Sequence, residues 1–407
     1  MKVIIFEPEA SGHRMILYVR HIVQEALRRG WDLHLVTTER VVDHPAYQVV
    51  KKECKDKLKI SFMPRVQFPV ENPTVLNLLN YQYRQYKAFE LAYRSIAKEN
   101  VPDVVYVVHL DYLFNVMSLL GSPFDNTPFA GMLMSVRHHH QRMGVIGSAS
   151  RQDWLYEKLF YRLLRIPTLG SLCVIDESMY EYALKERFSS YDKLIYVPDV
   201  AHLQGTITRE EARESLGVRN DQIVLLVYGS ISERKGISFL FNILVADGCP
   251  KNVIVLLAGK QDQFTREFLL ASVAMNLRTA GRLIEMPGFL DDTREYLSFR
   301  AADIVWVGYQ GFYGMSGVLL QAGRMGLPVV ACKEGLIGWI TRRHEVGESI
   351  NICDHVQALS TIIRLAKDSE AREFYGRRGF YLSQRHIPKL FGEGICNALE
   401  SAYLGER

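Results

Sequence analysis

The chain has 407 residues, a formal net charge of +4, 48% hydrophobic residues and 23% charged residues. This is the composition of a globular protein with large apolar cores, and it excludes a disordered or collagen-like chain. The length predicts two domains, and the small net charge leaves no basic half that would bind nucleic acid.

The cysteines and the lengths of the apolar runs indicate the cellular compartment of the protein. None of the six cysteines forms a C-x-x-C pair or stands at zinc-ligand spacing with a histidine. The apolar run before Glu7 is too short for a signal peptide, and no stretch approaches the roughly 18 apolar residues of a membrane span. We therefore expect a soluble cytoplasmic protein, with peripheral contact at the inner membrane face left open.

Short apolar runs alternate with amphipathic segments from the start of the chain. The predicted strands lie at residues 3–6, 33–37, 104–108, 129–134, 172–175 and 194–197. Residues 15–29 are predicted to form a helix ending at Gly30, and residues 75–99 a long helix rich in tyrosine. Such strand–helix alternation is typical of a doubly wound parallel sheet.

A second set of elements follows a charged stretch at 208–220. Its predicted strands lie at residues 223–228, 253–258, 283–286, 304–307 and 329–331. We expect an α/β protein of two Rossmann-like doubly wound parallel-sheet domains, residues 1–205 and 206–385, facing an interdomain cleft. Residues 386–407 are predicted to form a helix that crosses back to the N-terminal domain. Ligands of such sheets bind beyond the carboxyl ends of the strands.

The segment Y-G-M-S-G-V-L-L-Q-A-G-R-M-G-L-P-V-V-A, from Tyr313 to Ala331, contains a glycine-containing loop that leads into a helix. Backbone N–H groups and the helix dipole make such a loop an anion site. The alternative is a plain strand-to-helix turn with a glycine and a proline as helix stops.

This segment resembles the donor-binding signature of the retaining, nucleotide-sugar-dependent glycosyltransferases of family 4, which have the GT-B fold. The resemblance implies donor contacts from a set of residues in the loop and the first helical turn, namely Tyr313, Gly314, Met315, Ser316, Gly317, Val318 and Gln321.

Two positions depart from the signature, because the family has a glutamate at each of them. Tyr313 replaces the carboxylate that meets the transferred sugar, and Gln321 replaces the one that holds the nucleotide ribose. An amide can still donate and accept at a ribose. On the resemblance alone, Gln321→Glu is expected to be tolerated.

A second match lies in Y-G-S-I-S-E-R-K-G, which begins at Tyr228. The family carries an arginine and a lysine here that clamp the donor diphosphate. Lys235 occupies the lysine position, while Ser230 replaces the arginine, so that Arg234 is the candidate for the second cation. The alternative is a solvated charged turn capped by glycine.

Two shorter segments between these motifs also match the family. The run V-I-V-L-L-A-G-K places Gly259 at the end of a strand near the nucleotide, and the glycine of M-P-G-F-L is followed by Phe289 and Leu290. By resemblance, the nucleotide base lies against these last two residues.

The first domain offers weaker candidates. Gly12 and His13 lie between the first strand and the first helix, where enzymes of this fold bring a glycine close to the donor. His109 follows a buried strand, and His138 matches a histidine that contacts the transferred sugar in the family. We therefore take His138, His109 and His13 as the candidate catalytic residues; a turn glycine and an exposed histidine are the plainer interpretation at Gly12 and His13.

We expect no metal and no other cofactor. Although three histidines are adjacent at 138–140, successive side chains diverge and no carboxylate cluster accompanies them. The expected donor is a UDP-, GDP- or ADP-sugar, and the expected acceptor is a glycan or lipid-linked saccharide in cell-surface polysaccharide or glycoconjugate biosynthesis. The alternatives are a non-catalytic GT-B protein, which the missing carboxylates favour, and a nucleotide-sugar epimerase.

Overall fold

The computed structural model describes residues 1–9, 14–68, 74–147, 149–186 and 192–405, without the side chains of residues 46 and 55. The chain divides into two compact units. The first comprises Met1–Met143, Ala149–Val200 and Pro388–Arg407, and the second contains Ala201–Ile387 together with the short loop at 144–148. The two units therefore meet in sequence at Val200 and Ala201, and again at Ile387 and Pro388.

The first unit is built on a seven-stranded parallel sheet. Its strands are β1 (Lys2–Phe6), β2 (Asp32–Thr37), β3 (Leu58–Phe62), β4 (Val104–Val107), β5 (Phe129–Leu133), β6 (Leu169–Val174) and β7 (Leu194–Tyr196). They stand in the order β3-β2-β1-β4-β5-β6-β7. The central strands β4 and β5 are buried along their whole length, as their unbroken apolar sequences require.

Helices cover this sheet between the strands. They are α1 (Arg20–Arg28), α2 (Pro45–Cys54), α3 (Val75–Ala97), α4 (Phe114–Leu120), α5 (Asp153–Leu164) and α6 (Glu177–Glu186), and a π-helical segment, Arg14–Val19, leads into α1. The tyrosine-rich helix α3 turns all of its aromatic residues except Tyr83 inward. Phe89 stacks on Phe6 with ring centroids 4.5 Å apart, and Tyr93 packs on Phe124 at 5.7 Å. These aromatic side chains thus form core rather than surface.

The second unit is built on a six-stranded parallel sheet with the order β10-β9-β8-β11-β12-β13. Its strands are β8 (Ile223–Tyr228), β9 (Val253–Gly259), β10 (Leu283–Pro287), β11 (Ile304–Val307), β12 (Val329–Cys332) and β13 (Gly347–Ile350). Its helices are α7 (Arg209–Ser215), α8 (Ile237–Val245), α9 (Gln263–Phe268), α10 (Ser272–Thr279), α11 (Asp292–Ala301), α12 (Gly317–Arg324), α13 (Gly335–His344), α14 (His355–Lys367) and α15 (Ser369–Ser383). The strand order reverses direction at β8 and β11, which makes their carboxyl ends the topological switch point.

The last helix, α16 (Pro388–Leu404), belongs to the first unit. A Cβ on Gly392 would lie 2.7 Å from the backbone oxygen of His21 in α1, and the Tyr18 ring stacks on Phe391 at 5.2 Å. Small residues of α16 therefore let it pack closely on the start of the chain. Among the described residues, no helix combines the length and apolarity that crossing a membrane requires.

Candidate functional site

The carboxyl ends of β8 and β9 come unusually close together. Gly259 has a φ of +139°, and a Cβ at this position would lie 1.9 Å from the backbone oxygen of Gly229. Only glycine fits such a conformation and such an approach. This places Gly259, one of the predicted donor residues, at the buried carboxyl end of β9.

Lys235 lies beside the end of β8 and is only 3% exposed. Its Nζ donates to the backbone oxygen of Tyr228 at 2.9 Å and to the Tyr309 hydroxyl at 2.5 Å. The indole Nε1 of Trp306 donates to the Lys235 backbone oxygen at 2.9 Å, which fixes the main chain. Because an ammonium has three N–H donors, these two bonds leave one for an anion.

Tyr309 joins the two sequence motifs of the second unit. Its hydroxyl receives hydrogen bonds from Lys235 and, at 3.3 Å, from Ser316. The exposed guanidinium of Arg234 stands 5.5 Å from the Tyr309 ring and 4.6 Å from the Phe312 ring. The sequence analysis did not identify Tyr309, although its place after the strand at 304–307 was a usable signal.

The N-terminus of α12 begins directly at this point. Ser316 precedes the first turn but does not cap it with its hydroxyl, which is directed to Tyr309 instead. The first N–H groups of a helix lack intrahelical partners and carry the positive end of the helix dipole. Gly317 and Val318 begin this turn and are partly exposed. The buried ammonium and this helix end together form an anion-binding arrangement.

The loop leading into α12 holds the remaining residues of the predicted donor motif. Tyr313, Gly314 and Met315 are partly exposed. The Tyr313 backbone oxygen accepts from the Leu336 N–H at 3.0 Å, and a Cβ on Gly335 would lie 2.6 Å from the Tyr313 Cα. Close packing against the start of α13 therefore fixes the backbone of this loop.

Gln321 lies one helical turn beyond Gly317, on the same face of α12. It is 8% exposed, and its Nε2 donates to Oε1 of Glu295 on α11. Tyr228 also hydrogen-bonds Glu295. Burial raises the pKa of Glu295 to about 7, and the hydrogen bonds from Tyr228 and Gln321 oppose that shift. Glu295 was not among the predicted residues, because only the folded chain brings this residue of α11 to Gln321 of α12.

The residues predicted to hold the base follow β10. Phe289 is 62% exposed, whereas the Leu290 side chain is 6% exposed. Gly288, which precedes them, donates its N–H to the Gly259 oxygen at 3.2 Å. Phe289 thus presents an aromatic surface on the sheet edge that carries Gly259, while Leu290 offers a ligand little beyond its backbone.

In the first unit, His109 and Asp111 form a pair just beyond the carboxyl end of β4. The His109 Nε2 lies 3.0 Å from Asp111 Oδ2, and the two carboxylate oxygens accept backbone N–H groups of Met134 and Ser135, each at 2.9 Å. Burial opposes the Asp111 charge, but the His109 imidazole and the amide of Met134 hold the pKa of Asp111 below its ordinary value. The pair therefore fixes the orientation of the His109 imidazole.

Glu7 ends its strand in the same region, at the carboxyl edge of β1, and has no exposed surface. Its Oε1 accepts the Glu9 N–H at 2.8 Å, and Arg14 Nη1 lies 3.8 Å from it. Burial raises the pKa of Glu7 to about 7, against the effect of Arg14. Arg14 also donates to the Tyr112 hydroxyl, and the Tyr112 ring contacts His109 at 4.4 Å. A charged network therefore surrounds His109.

His138, predicted to be catalytic, packs in apolar surroundings instead. It is 6% exposed, and its ring lies 5.1 Å from that of Phe160 and 6.1 Å from that of Tyr182. Burial, together with the nearby His139 and Arg142, lowers the pKa of His138 to about 3. An imidazole that stays neutral among aromatic rings fits a packing role better than a catalytic one. Gly12 and His13 lie outside the described residues.

The neighbouring histidines do not diverge as the sequence argument assumed. The His139 and His140 rings are 4.6 Å apart, and their Nε2 atoms lie 3.1 and 3.2 Å from Asp176 Oδ2. The ligand atoms of this buried trio lie within 4.8 Å of one another, so that it could hold a divalent cation. Asp176 Oδ1 also caps α6 by accepting the Ser178 N–H at 2.8 Å. The cluster is thus a candidate metal site, and its carboxylate also caps α6.

The second unit of the chain is similar to a known protein family. Residues 222–368, which include all six strands of the second sheet, match the family described as "Glycosyl transferases group 1". This part of the chain is therefore similar to group 1 glycosyltransferase domains. No curated protein sequence matches the chain.

Solved structures with the same fold cover nearly the whole chain. The Anabaena protein HepE, solved with UDP and glucose, is 14% identical with a TM-score of 0.66, and the match covers 98% of this chain and 100% of HepE. Sucrose-phosphate synthase from Thermosynechococcus elongatus is 15% identical with a TM-score of 0.69, and both chains are covered completely. WaaG, a glycosyltransferase involved in lipopolysaccharide biosynthesis, is 15% identical with a TM-score of 0.62, and 98% of this chain and 99% of WaaG are covered. The chain has the GT-B fold of glycosyltransferases, with two parallel-sheet domains, as predicted.

Proposed function

We propose that the protein transfers a sugar from a nucleotide-sugar donor to a glycan or lipid-linked saccharide, with retention of configuration and without a metal ion. One observation carries this proposal. A buried lysine ammonium, a tyrosine hydroxyl and an uncapped helix N-terminus converge at the carboxyl ends of β8 and β11. This arrangement suits the diphosphate of a nucleotide-sugar.

Lys235 stabilises the leaving group. As the bond between sugar and phosphate breaks, negative charge grows on the departing nucleoside diphosphate, and fixed positive charges lower the energy of that state. Lys235 is held in place by Tyr228 and Tyr309 before the donor arrives, so that little reorganisation is needed during the reaction. The amides of the first turn of α12 supply further donors, and Arg234 supplies a second, exposed cation.

His109 and Asp111 serve the sugar or the acceptor. A carboxylate that holds an imidazole fixes its orientation and favours one tautomer. With Nε2 facing Asp111, the other ring nitrogen of His109 is left for a hydroxyl group of a bound saccharide. His109 is therefore the candidate catalytic residue of the first unit that its geometry supports best.

A lipid-linked acceptor would bring the protein to a membrane surface. The start of α3 supports this proposal, because Val75 and Leu76 are 60% and 77% exposed, and Lys51 and Lys52 are exposed on α2. Apolar side chains together with lysines favour binding to anionic lipid. Co-sedimentation with phosphatidylglycerol vesicles, but not with phosphatidylcholine vesicles, is the expected result, and Leu76→Glu should reduce it.

A donor panel tests the activity. The purified protein is incubated with UDP-, GDP- and ADP-sugars, and the release of nucleoside diphosphate is measured with and without saccharide acceptors. UDP-glucose is the first donor to test, because HepE was solved with UDP and glucose. Turnover of one donor supports a transferase. Binding without turnover across the panel would favour the non-catalytic alternative, which the absence of carboxylates at Tyr313 and Gln321 supports.

A further inference from the structure

The side-chain amide of Gln321 is held in one orientation by a carboxylate. Its Nε2 donates to Oε1 of Glu295, and the hydroxyl of Tyr228 hydrogen-bonds the same carboxyl group. The Gln321 NH2 group must therefore face Glu295. The carbonyl oxygen of the same amide is then left to accept hydrogen bonds elsewhere.

The carboxylate itself is held from a second side. Tyr228, the last residue of β8, hydrogen-bonds Glu295, and its ring packs on Phe299 of α11 at 4.9 Å between centroids. Burial raises the pKa of Glu295 to about 7, and the nearby Asp292 adds to this shift, whereas the hydrogen bonds from Tyr228 and Gln321 oppose it. Glu295 is thus a fixed link between the end of β8 and the first turns of α12.

We propose that Glu295 is a positioning residue that turns the Gln321 carbonyl oxygen toward the ribose hydroxyls of the nucleotide donor. This inference rests on the proposed function. In this arrangement, the amide oxygen of Gln321 accepts a hydrogen bond from the ribose, as a carboxylate oxygen at this position would. The carboxyl group itself is supplied by Glu295 of α11. The arrangement favours ribonucleotides over 2′-deoxyribonucleotides, because only the former supply the 2′-hydroxyl donor.

The same geometry reverses one expectation from the sequence. Gln321→Glu, which the resemblance predicts to be harmless, would place two carboxylates within hydrogen-bonding distance in a partly buried position. Like charges so placed repel strongly. The single substitution should therefore weaken nucleotide binding, and an exchange of the two side chains should restore it.

The experiment measures the affinity of the full-length protein for UDP, GDP and ADP by calorimetry, and then for the 2′-deoxy form of the nucleotide that binds best. In Glu295→Met the acceptor for Gln321 is lost, so the amide is free to turn. We expect binding of the ribonucleotide to weaken by about tenfold, the scale of one hydrogen bond, and the preference over the 2′-deoxy form to shrink.

The exchange variant and a matched control complete the test. The double variant Glu295→Gln with Gln321→Glu should regain most of the wild-type affinity, whereas Gln321→Glu alone should not. Gln263 and Glu267 form a similar pair on α9, with Nε2 and Oε1 2.8 Å apart, but Glu267 is exposed. Glu267→Met should therefore leave binding unchanged.

The outcomes separate the two proposals. If the wild type binds a nucleoside diphosphate but Glu295→Met keeps both affinity and ribose preference, the positioning role is overturned and the proposed function stands. If Glu295→Met does not fold, the two other variants decide. Equal nucleotide affinity of Gln321→Glu and of the double variant would likewise overturn the positioning role of Glu295. If the wild type binds none of the three nucleotides, the proposed function itself fails.

Discussion

Replacing Lys235 is the most direct test of the anion site. Lys235→Met keeps much of the buried aliphatic stem and removes the ammonium that bonds to the Tyr228 oxygen and the Tyr309 hydroxyl. Losing one preorganised donor at developing charge costs roughly 2.7–4 kcal/mol, or about 10²–10³ in kcat. We expect a loss of that size, measured as initial rates of nucleotide release at saturating donor.

Stability must be separated from catalysis in this variant. The substitution leaves the Tyr228 oxygen and the Tyr309 hydroxyl without their partner, which costs about 1–3 kcal/mol for each buried group that stays unpaired. Thermal unfolding should therefore show a lower Tm, and rates are to be compared well below it. Tyr309→Phe provides a matched control, because it removes one partner of Lys235 but keeps the charge, so kcat should fall much less.

Two further variants test which cationic side chain acts on the diphosphate. Arg234→Ala removes an exposed guanidinium that rests on the rings of Tyr309 and Phe312, and its effect on kcat should be smaller than that of Lys235→Met. Lys251→Met removes an exposed lysine just before β9, at the opposite edge of the sheet, and should have no effect. A folded Lys235→Met protein with wild-type kcat would refute the assignment of the diphosphate site.

Three other results are expected. EDTA should leave sugar transfer unchanged, since cationic side chains meet the leaving-group charge; activity lost to EDTA and restored by Mn²⁺ or Mg²⁺ would contradict this. The free energy of unfolding should fall as the pH rises from 5 to 8, because folding raises the pKa of Glu7 from 4.5 to about 7 and unfolding therefore releases a proton in this range. The fall amounts to at most about 3 kcal/mol. Denaturant titrations of Glu7→Gln should no longer show it. Gly259→Ala should lower Tm well beyond the exposed control Gly281→Ala, because its Cβ would clash with the Gly229 oxygen; equal Tm values would contradict the close approach.

The central strands of both sheets could be predicted from sequence, because burial on both faces requires continuous apolar runs. The two strands that were missed both lie at a sheet edge. β3 buries only Leu58 and β13 buries only Ile350. Such strands lack the apolar signal of a central strand, and their pairing depends on the neighbouring strand rather than on their own sequence.

Within the candidate donor site, Lys235 and Gln321 lie in contiguous motifs and were therefore within reach of sequence reasoning. Their partners, Tyr309 and Glu295, could not be found in this way, since they reach the site from the end of β11 and from α11. The histidines at 138–140 show a related limit. Although the three residues are adjacent, the His138 imidazole lies among aromatic rings, whereas those of His139 and His140 contact Asp176. This carboxylate comes from the segment after β6.

The departures from the family signature have a common physical explanation in the fold. A ribose needs an acceptor oxygen and a diphosphate needs fixed positive charge, but neither requires a particular position in the sequence. Near the switch point of the second sheet, Glu295 of α11 reaches Gln321 of α12, so in the proposed arrangement a carboxyl group stays in the network while Gln321 presents the oxygen. Likewise, Arg234 lies next to Lys235 in the chain and rests on Tyr309, so a cation is available although Ser230 cannot provide one. Under the proposed function, the motif departures at Gln321 and Ser230 therefore leave an acceptor oxygen and a positive charge available to the donor.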